Sequence, residues 1–457
     1  MSHSCALYLA LAAALAAGCR HVPPQPLSPE ESAARLTAQS LADVGLRDFL
    51  AQQTGRSPEP WPKTQWDLED LTLAALYFSP ELRVARAGAA VAAAHVGAES
   101  QRPNPTVSVL PQRVANPESG VSPWLAAVQL DWPIETAGKR AKRRAAAERR
   151  AAAADLSVNT AVWRVRGDVY EGVVGVSAAA QRSASLARTV ELRAQRLSLI
   201  EERRIAGAIA EAIVAPERLA LAQATANLAS AERTSAEARA ALAAAVGTPA
   251  AALDAVDVAF DLDAAPADAQ ALGNGARRAA LLSRSDVLSL LAEYEAAEQD
   301  LRLELAKQYP DLHIGPAYEY DQGADKWGLA LSLDLPLMNQ NGGAIDEALA
   351  RRGEVAARFE ALQAQVIHEV DAAETALRAA RREAEIAQHL LAEARHRNAL
   401  AERSLELGAV DRVAVLDAEL EMQFAAGARI DAQERLHRAL AQLERAVEAP
   451  AQPGASG

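Results

Sequence analysis

The strongest constraint on the fold is a long internal repeat, because it divides most of the chain into two copies of one unit. Three landmarks recur in the same order about 200 positions apart. They are Asn104-Pro105 and Tyr309-Pro310, Leu130-Asp131-Trp132-Pro133 and Leu333-Asp334-Leu335-Pro336, and Gly207-Ala208-Ile209 and Gly408-Ala409-Val410. Each copy has the order helix, two strands, very long helix, glycine turn and helix. The pattern therefore predicts a mainly α fold with a small β part.

The segments outside the two copies define the domain boundaries. Pro249, Pro266, Gly273 and Gly275 interrupt the helical pattern between the copies, as expected for a linker. We divide the chain into 1–18 (signal peptide), 19–66 (N-terminal tether and equatorial segment), 67–249 (repeat 1), 250–276 (linker), 277–449 (repeat 2) and 450–457 (disordered tail).

The predicted strands alternate between apolar and small or polar residues. Their ranges are Thr106–Gln112 and Leu125–Trp132 in the first copy, and Leu312–Tyr320 and Trp327–Leu335 in the second. Strands of this length with one apolar face suit a membrane β-barrel with a wet lumen, although an ordinary half-buried antiparallel sheet fits any single strand equally well. The barrel interpretation is favoured because Trp124, Trp132, Tyr318, Tyr320 and Trp327 lie towards strand ends, where aromatic girdles sit.

Four strands cannot close a barrel, because the smallest known bacterial barrels have about eight. In lipid, an open four-stranded sheet leaves edge amides unpaired at a cost of several kcal/mol each. Several copies of the chain must therefore complete one wall if the strands lie in a membrane.

The helices that follow the strands are too long for a globular domain. Pro133 to Gly207 and Pro336 to Gly408 each span roughly 105 to 110 Å if fully helical. The chain returns from each glycine over only about 60 Å. We expect the helices Pro80–Arg102 and Asp286–Gln308 to supply the remaining length end to end. Each repeat then forms a rod with strands at one end and a glycine turn at the other.

The N-terminus has the features of a bacterial lipoprotein signal. An apolar run from Ala6 to Gly18 ends in Leu15-Ala16-Ala17-Gly18-Cys19, which resembles a lipoprotein cleavage box with Cys19 as the lipidated residue. No Lys or Arg precedes the run, so a helical leader with an incidental cysteine remains an alternative. The Pro-rich stretch Val22–Pro29 is typical of an extended tether.

Composition and the lack of complete motifs argue against several classes of function. The net charge of −13 argues against nucleic acid as a partner, and the 23% charged residues argue against a polytopic helical membrane protein. No hydrolase, phosphate-loop or zinc-helix motif is complete, so we expect neither an enzyme nor a metal site. Apart from a covalent lipid on Cys19, no cofactor is expected.

From about residue 67 to 447 the chain resembles the TolC-like outer membrane efflux family. The resemblance rests on Ser79-Pro80-Glu81-Leu82, Pro103-Asn104-Pro105, the duplicated strand pairs, and Gly408-Ala409-Val410-Asp411 followed by Val415-Leu416-Asp417-Ala418. It implies a homotrimer with a 12-strand β-barrel continuous with a long α-helical barrel, located in the outer membrane. It also implies two partners, a periplasmic adaptor and an inner-membrane pump of the resistance-nodulation-division type.

The resemblance also assigns candidate site residues and a cargo. Gly207 and Gly408 mark the periplasmic tips, Asp417 matches the position of the acidic rings that close the mouth or filter ions, and Asp411 lies nearby as a second candidate. The first copy departs from this pattern, since Pro216 stands where the second has Asp417. Trp132-Pro133-Ile134-Glu135 with Gly138-Lys139-Arg140 is similar to the heavy-metal cation branch.

Two further aspartates and two other functions remain open. Asp131 and Asp334 face inward by alternation and would make the lumen acidic, or else form hydrogen bonds at the strand-to-helix corners. The rival functions are a lipid-anchored periplasmic coiled-coil adaptor or scaffold, and a general drug or protein export channel of the same fold.

Overall fold

The computed structural model describes residues 21–254, 256–264 and 275–450. The signal peptide, Cys19, linker residues 255 and 265–274, and tail residues 451–457 therefore lie outside the described residues. The elements before and within the first repeat are α1 (Pro29–Thr37), α2 (Val44–Thr54), β1 (Gln65–Trp66), α3 (Leu68–Phe78), α4 (Pro80–Glu99), β2 (Thr106–Arg113), β3 (Trp124–Ile134), α5 (Lys139–Ile205) and α6 (Glu211–Val246). A 3₁₀ turn (Ala250–Leu253), β4 (Asp257–Val258), α7 (Ala276–Ser283), α8 (Ser285–Ala306), β5 (Leu312–Asp321), β6 (Ala324–Leu333), α9 (Gly342–Glu406) and α10 (Arg412–Val447) follow.

The predicted order of elements is present in both repeats. The long helices α5 and α9 have 67 and 65 residues, which corresponds to about 100 Å each. The return helices α6 and α10 have 36 residues each. None of the described helices carries an apolar stretch long enough to cross a bilayer.

The short and return helices lie end to end along each long helix, as expected from the length arithmetic. In repeat 1, a side chain added at Gly247, just after α6, would contact Phe78 and Pro80 at the start of α4. In repeat 2, Arg284 at the start of α8 donates to the carbonyl of Ala446 near the end of α10, 3.0 Å away. The sequence explains where α4 starts, since Ser79 caps it by accepting from the amide of Leu82 and Pro80 occupies the first helical position.

An equatorial belt surrounds the middle of α5 where these helices meet. Helices α2 and α3 contribute Leu46 and Leu71 to a core that also contains Trp66, and this core packs on Val169 of α5 and Leu242 of α6. All five side chains are fully buried, and their packing fixes the N-terminal segment at mid-height of the rods.

A neighbouring part of the belt is built around His437. Its Nε2 lies 3.1 Å from the carbonyl of Leu262, which belongs to the segment after β4. Its Nδ1 lies 3.4 Å from the hydroxyl of Tyr170, and the ring packs against Phe260. Burial lowers the pKa of His437, so the ring is held neutral where the linker crosses α5 and α10.

The α9–α10 hairpin is a coiled coil of apolar residues. Buried side chains of α9 alternate steps of four and three residues, which is the seam of packed helices. They are Val366, Val370, Ala373, Leu377, Ala380, Ala384, Ala387 and Leu391. Val355, Phe359 and Leu362 continue the same spacing towards the start of α9 and are partly buried.

The four longer strands form one antiparallel sheet in the order β2-β3-β5-β6, which joins the two repeats through β3 and β5. Each predicted strand boundary lies within three residues of the observed one. Strand β6 begins at Ala324 rather than Trp327, because Gln322 and Gly323 form a two-residue turn with positive φ at both positions and pairing resumes at once.

The register places apolar residues of all four strands on one face. Val128 pairs with Tyr318, which pairs with Trp327, and Trp132 pairs with Ile314, which pairs with Leu331. Trp327 is 80% exposed and Leu329 is 70% exposed, so this face is uncovered in the single chain. The opposite face carries Thr106, Ser108, Gln112, Gln129, Asp131, His313, Glu319, Asp321, Lys326 and Ser332.

Strands β3 and β5 approach so closely that one position requires glycine. A Cβ at Gly315 would lie 1.6 Å from the carbonyl oxygen of Leu130 and 2.6 Å from its carbonyl carbon. Because these are backbone atoms, a side chain could be accommodated only if the strands moved apart. The junction between the repeats therefore depends on Gly315.

We expect Gly315→Ala to destabilise the sheet by about 1 to 3 kcal/mol, the usual range for overpacking. The measurement is thermal unfolding of the purified full-length protein in detergent. Gly328→Ala is the matched control, because Gly328 lies on the same face in β6 and nothing lies within 4 Å of its added Cβ. Equal melting temperatures for the two variants would contradict the steric argument.

Candidate functional site

The two hairpin tips share one turn geometry. Gly207 and Gly408 have φ of +75° and +72°, a conformation that favours glycine at the end of a helix. After each glycine the next amide reaches back to the helix: Ala208 donates to the carbonyl of Arg203, and Ala409 donates to that of Ser404, each over 2.8 Å. These tips lie at the end of the rods opposite the sheet.

The return helix of repeat 2 starts with an acidic cap. Asp411 accepts a hydrogen bond from the amide of Ala414 at 2.9 Å and forms an ion pair with Arg203 of α5 at 2.7 Å. The backbone hydrogen bond from Ala414 and the contact with Arg203 lower the pKa of Asp411. The corresponding position in repeat 1 is Ala210, which provides no side-chain cap. Asp411 thus joins its own helix start to the first hairpin.

Asp417 also contacts α5, about two helical turns further from the tip than Asp411 does. Its carboxylate lies 2.8 Å from Nε of Arg196, and Arg196 also contacts Glu217 of α6. Burial acts to lower the pKa of Arg196, but the hydrogen bond to Glu217 and the charges of Asp417 and Glu217 outweigh it and raise that pKa. One arginine therefore links both return helices to α5.

Further arginines continue this pattern along α5 towards the belt. Arg188 lies 2.9 Å from Glu419, and Arg182 lies 2.9 Å from Glu434 while also contacting Asp431. We call the column formed by Arg182, Arg188, Arg196 and Arg203 with their carboxylates on α10 the arginine seam. Its arginines recur about every seven residues, the spacing that keeps side chains on one side of a supercoiled helix.

The arginine seam differs from the contacts within each hairpin. Inside the hairpins, ion pairs such as that of Arg218 with Glu201 accompany apolar packing, in which Leu192 and Val214 of repeat 1 and Leu391 and Leu416 of repeat 2 are buried. Pairs in the seam are partly exposed, with Asp417 at 49%, and such pairs contribute about 0 to 1 kcal/mol each. The two hairpins are therefore joined near the tips by weaker and more reversible contacts than those within them.

The two predicted lumen aspartates occupy the same end of the sheet. Asp131 lies on the polar face and its carboxylate is 3.0 Å from Nδ1 of His313 on the neighbouring strand. Asp334 follows the last residue of β6 and is exposed. Asp131 thus lies on the polar face of the sheet and is hydrogen-bonded there.

Sequence reasoning missed the residue that makes the strand-to-helix corner. Asp311 accepts from the amide of Thr136 at 2.8 Å and from Nζ of Lys139 at 2.7 Å. Lys139 is buried and also donates to the carbonyl of Tyr309. These contacts tie the start of α5 in repeat 1 to the start of β5 in repeat 2. The available signal was Tyr309-Pro310-Asp311 itself, an acid directly before a strand.

The motif quoted for the heavy-metal branch has a structural role at this corner. Glu135 contacts Arg143, and Gly138 adopts φ of +69° immediately before α5 begins. Among the residues that the structure describes, no group of three His, Cys, Asp or Glu lies close enough together to hold a metal ion.

The comparisons with known proteins agree with this architecture. Among solved structures, the outer membrane protein VceC from Vibrio cholerae is 20% identical, with a TM-score of 0.67 and coverage of 84% of this chain and 97% of that chain. The CmeC outer membrane channel from Campylobacter jejuni is 16% identical, with a TM-score of 0.68 and coverage of 94% and 93%. The MtrE outer membrane channel from Neisseria gonorrhoeae, solved in its open state, is 19% identical, with a TM-score of 0.65 and coverage of 84% and 89%.

No curated protein sequence matches this chain significantly. The family model described as outer membrane efflux protein matches residues 72–248 and 276–448, which are the two repeats. Because that match covers well over half of the chain, this chain belongs to the outer membrane efflux protein family, whose members are channels of tripartite efflux systems.

Proposed function

We propose that three copies of this chain form the outer membrane conduit of a tripartite efflux system. The observation that carries the proposal is the open four-stranded sheet at one end of two long rods, with one apolar face uncovered. The conduit itself is passive. A periplasmic adaptor and an inner-membrane pump, of the resistance-nodulation-division type, dock at the hairpin tips, and the pump supplies the energy.

The number of copies follows from the size of the barrel. Within the described chain, the outer edges of β2 and β6 pair with no other strand. Two copies would provide eight strands, but a barrel of about eight strands is filled by its own side chains. Three copies provide the 12-strand barrel that leaves room for cargo, and they also pair both edges of every sheet.

We propose cations as the cargo, with heavy-metal ions as the first candidates. The polar face of the sheet would line the lumen, and it carries Asp131, Glu319 and Asp321 against Lys326 and His313. An excess of carboxylates on a pore wall favours cations. A general drug or protein export channel of the same fold requires no such excess.

The channel proposal predicts a trimer that conducts ions. We expect the detergent-solubilised protein from outer membranes to have the mass of three chains and to give a cation-selective current in planar bilayers. Asp131→Asn should reduce that selectivity, whereas Glu360→Gln, which changes an exposed helix residue, should leave it unchanged. A monomer released by removal of the lipid, without any current, would instead support the lipid-anchored adaptor or scaffold.

We further propose that the arginine seam keeps the tips closed in the resting state. Three copies bring three sets of Asp411 and Asp417 around one axis, where like charges repel unless cations neutralise them. Arg203 and Arg196 provide those cations within each chain. Docking of the adaptor would open the tips by separating α10 from α5 along the seam, since the hairpins themselves are held by apolar packing.

We expect Arg196→Gln and Asp417→Ala to raise the open probability of the channel by similar factors. Each variant removes the contact between α5 and α10 at this position, whereas Glu217 lies on α6 in the same hairpin as Arg196 and does not hold the two hairpins together. If each lost pair is worth about 1 kcal/mol, the open fraction rises about fivefold per contact. The measurement is single-channel current in planar bilayers at low salt.

Arg233→Gln is the control for the seam, because Arg233 pairs with Glu237 within its own helix and bridges no hairpins. It should leave the current unchanged. An unchanged current in Arg196→Gln would refute the role of the seam in closure.

We propose that Cys19 carries a covalent lipid after cleavage of residues 1–18. Residues 21–28 have no regular secondary structure and α1 begins at Pro29, which is consistent with a tether. Mass spectrometry of the mature N-terminal peptide should show an acylated Cys19. Cys19→Ser should abolish the added mass but leave the trimer intact, because strand pairing and not the lipid holds the copies together. An unmodified cysteine in the wild-type protein would exclude the anchor.

A further inference from the structure

A cleft of about 1040 Å³ lies where the sheet meets α5. One wall is apolar and is formed by residues that the register places on the apolar face, Leu130, Trp132, Ile134, Ile314, Pro316 and Leu329. The other wall carries three cations, Arg102 after α4 and Arg140 and Arg144 one turn apart on α5. Such a boundary between apolar surface and guanidinium groups suits a ligand that is apolar at one end and anionic at the other.

The cations of this cleft are incompletely neutralised. Five of the six residues from 139 to 144 are basic. Lys139 pairs with Asp311, and Arg143 pairs with Glu99 and with Glu135, the one carboxylate in the cleft wall. Arg144 pairs only with Glu148, at an exposed position.

Arg102 and Arg140 complete the wall without partners. Neither has a hydrogen bond or ion pair to any residue that the structure describes. The cleft thus presents two free guanidinium groups, and a third that is only weakly held by its neighbour on the helix surface.

The second repeat provides an internal comparison. By the repeat alignment, Gly343 and Glu347 stand where repeat 1 has Arg140 and Arg144. Lys307 lies near the position that corresponds to Arg102, and it pairs with Glu304 at 2.7 Å. The basic wall is therefore specific to one of two otherwise equivalent corners. A role in the fold common to both repeats does not explain it.

Most of the strand residues that line the cleft lie away from the outer edges of the sheet. They belong to the inner strands β3 and β5, and Leu329 is the one contribution of β6. In the proposed assembly, copies of the chain join through the outer edges of β2 and β6. If the apolar face contacts lipid, as in the proposed function, the cleft lies at the periplasmic rim of the membrane.

We propose that this cleft binds one anionic glycerophospholipid per chain. Arg102, Arg140 and Arg144 hold the phosphate of the headgroup through charge-assisted hydrogen bonds, and the acyl chains lie along Trp132, Ile134 and Leu329. The inference rests on the proposed membrane barrel, because only a sheet in lipid presents this corner to phospholipid.

The test is native mass spectrometry of the full-length trimer titrated with phosphatidylglycerol or phosphatidylcholine of identical acyl chains. We expect phosphatidylglycerol to bind about tenfold more tightly, because both lipids carry the phosphate but the quaternary ammonium of phosphatidylcholine is repelled by the unpaired guanidinium groups of Arg102 and Arg140. The variant Arg102→Gln with Arg140→Gln should remove that preference. The matched control, Arg351→Gln with Arg358→Gln, removes two arginines that pair within α9 and should retain it.

Several results would overturn the proposal. Equal binding of the two lipids by the wild-type protein would do so, as would an undiminished preference in the Arg102 and Arg140 variant. Displacement of phosphatidylglycerol by inorganic phosphate would assign the cleft to free phosphate instead. Trimer mass and bilayer current recorded on the same preparations separate the two hypotheses. An intact conducting trimer without lipid preference refutes the lipid site alone, and a monomer without current refutes the channel.

Discussion

Unpaired backbone groups at the two outer strand edges are the constraint on which the rest of this architecture depends. A sheet with one apolar face and two open edges is unfavourable in water, because the face is exposed, and unfavourable in lipid, because each unpaired amide costs several kcal/mol. In the proposed assembly, pairing with further copies would satisfy the edge amides, and lipid would cover the apolar face. The long rods then follow as a geometric consequence, since copies joined in a closed wall also align their helices side by side.

The division between apolar and ionic contacts determines where the two hairpins can separate. Apolar packing such as that of Leu377 in the core it shares with Leu440 of α10 is lost only at a cost of several kcal/mol, so each hairpin behaves as a unit. Arginine and carboxylate pairs at partly exposed positions exchange readily with water and with other partners. Under the proposed closure, a partner that competes for Arg196 or Arg203 would separate the tips without unfolding either hairpin, because the arginine seam lies between the hairpins and below the belt.

Much of this structure could be predicted from periodicity, and the rest depends on contacts between distant segments. Strand alternation, helix lengths and the tip glycines are local patterns, and the structure has them within a few residues. Arg196, Asp311 and Gly315 could not be found in this way. The partner of Arg196 is more than two hundred residues away, Asp311 acts on Thr136 of the other repeat, and Gly315 is required by the backbone of Leu130. Only the three-dimensional register brings these groups together.

Duplication explains why the two repeats share a backbone but not a surface. The turn at Gly207 and the turn at Gly408 use the same hydrogen bonds, because both must reverse a helix of the same geometry. Side chains that do not determine that backbone have diverged, so that Asp411 caps one return helix where Ala210 leaves the other uncapped. In a threefold assembly of two-repeat chains, every such difference appears at alternate positions around the wall. In such an assembly of six repeats, the corners and tips of repeat 1 can therefore take a different role from those of repeat 2, one binding and the other structural.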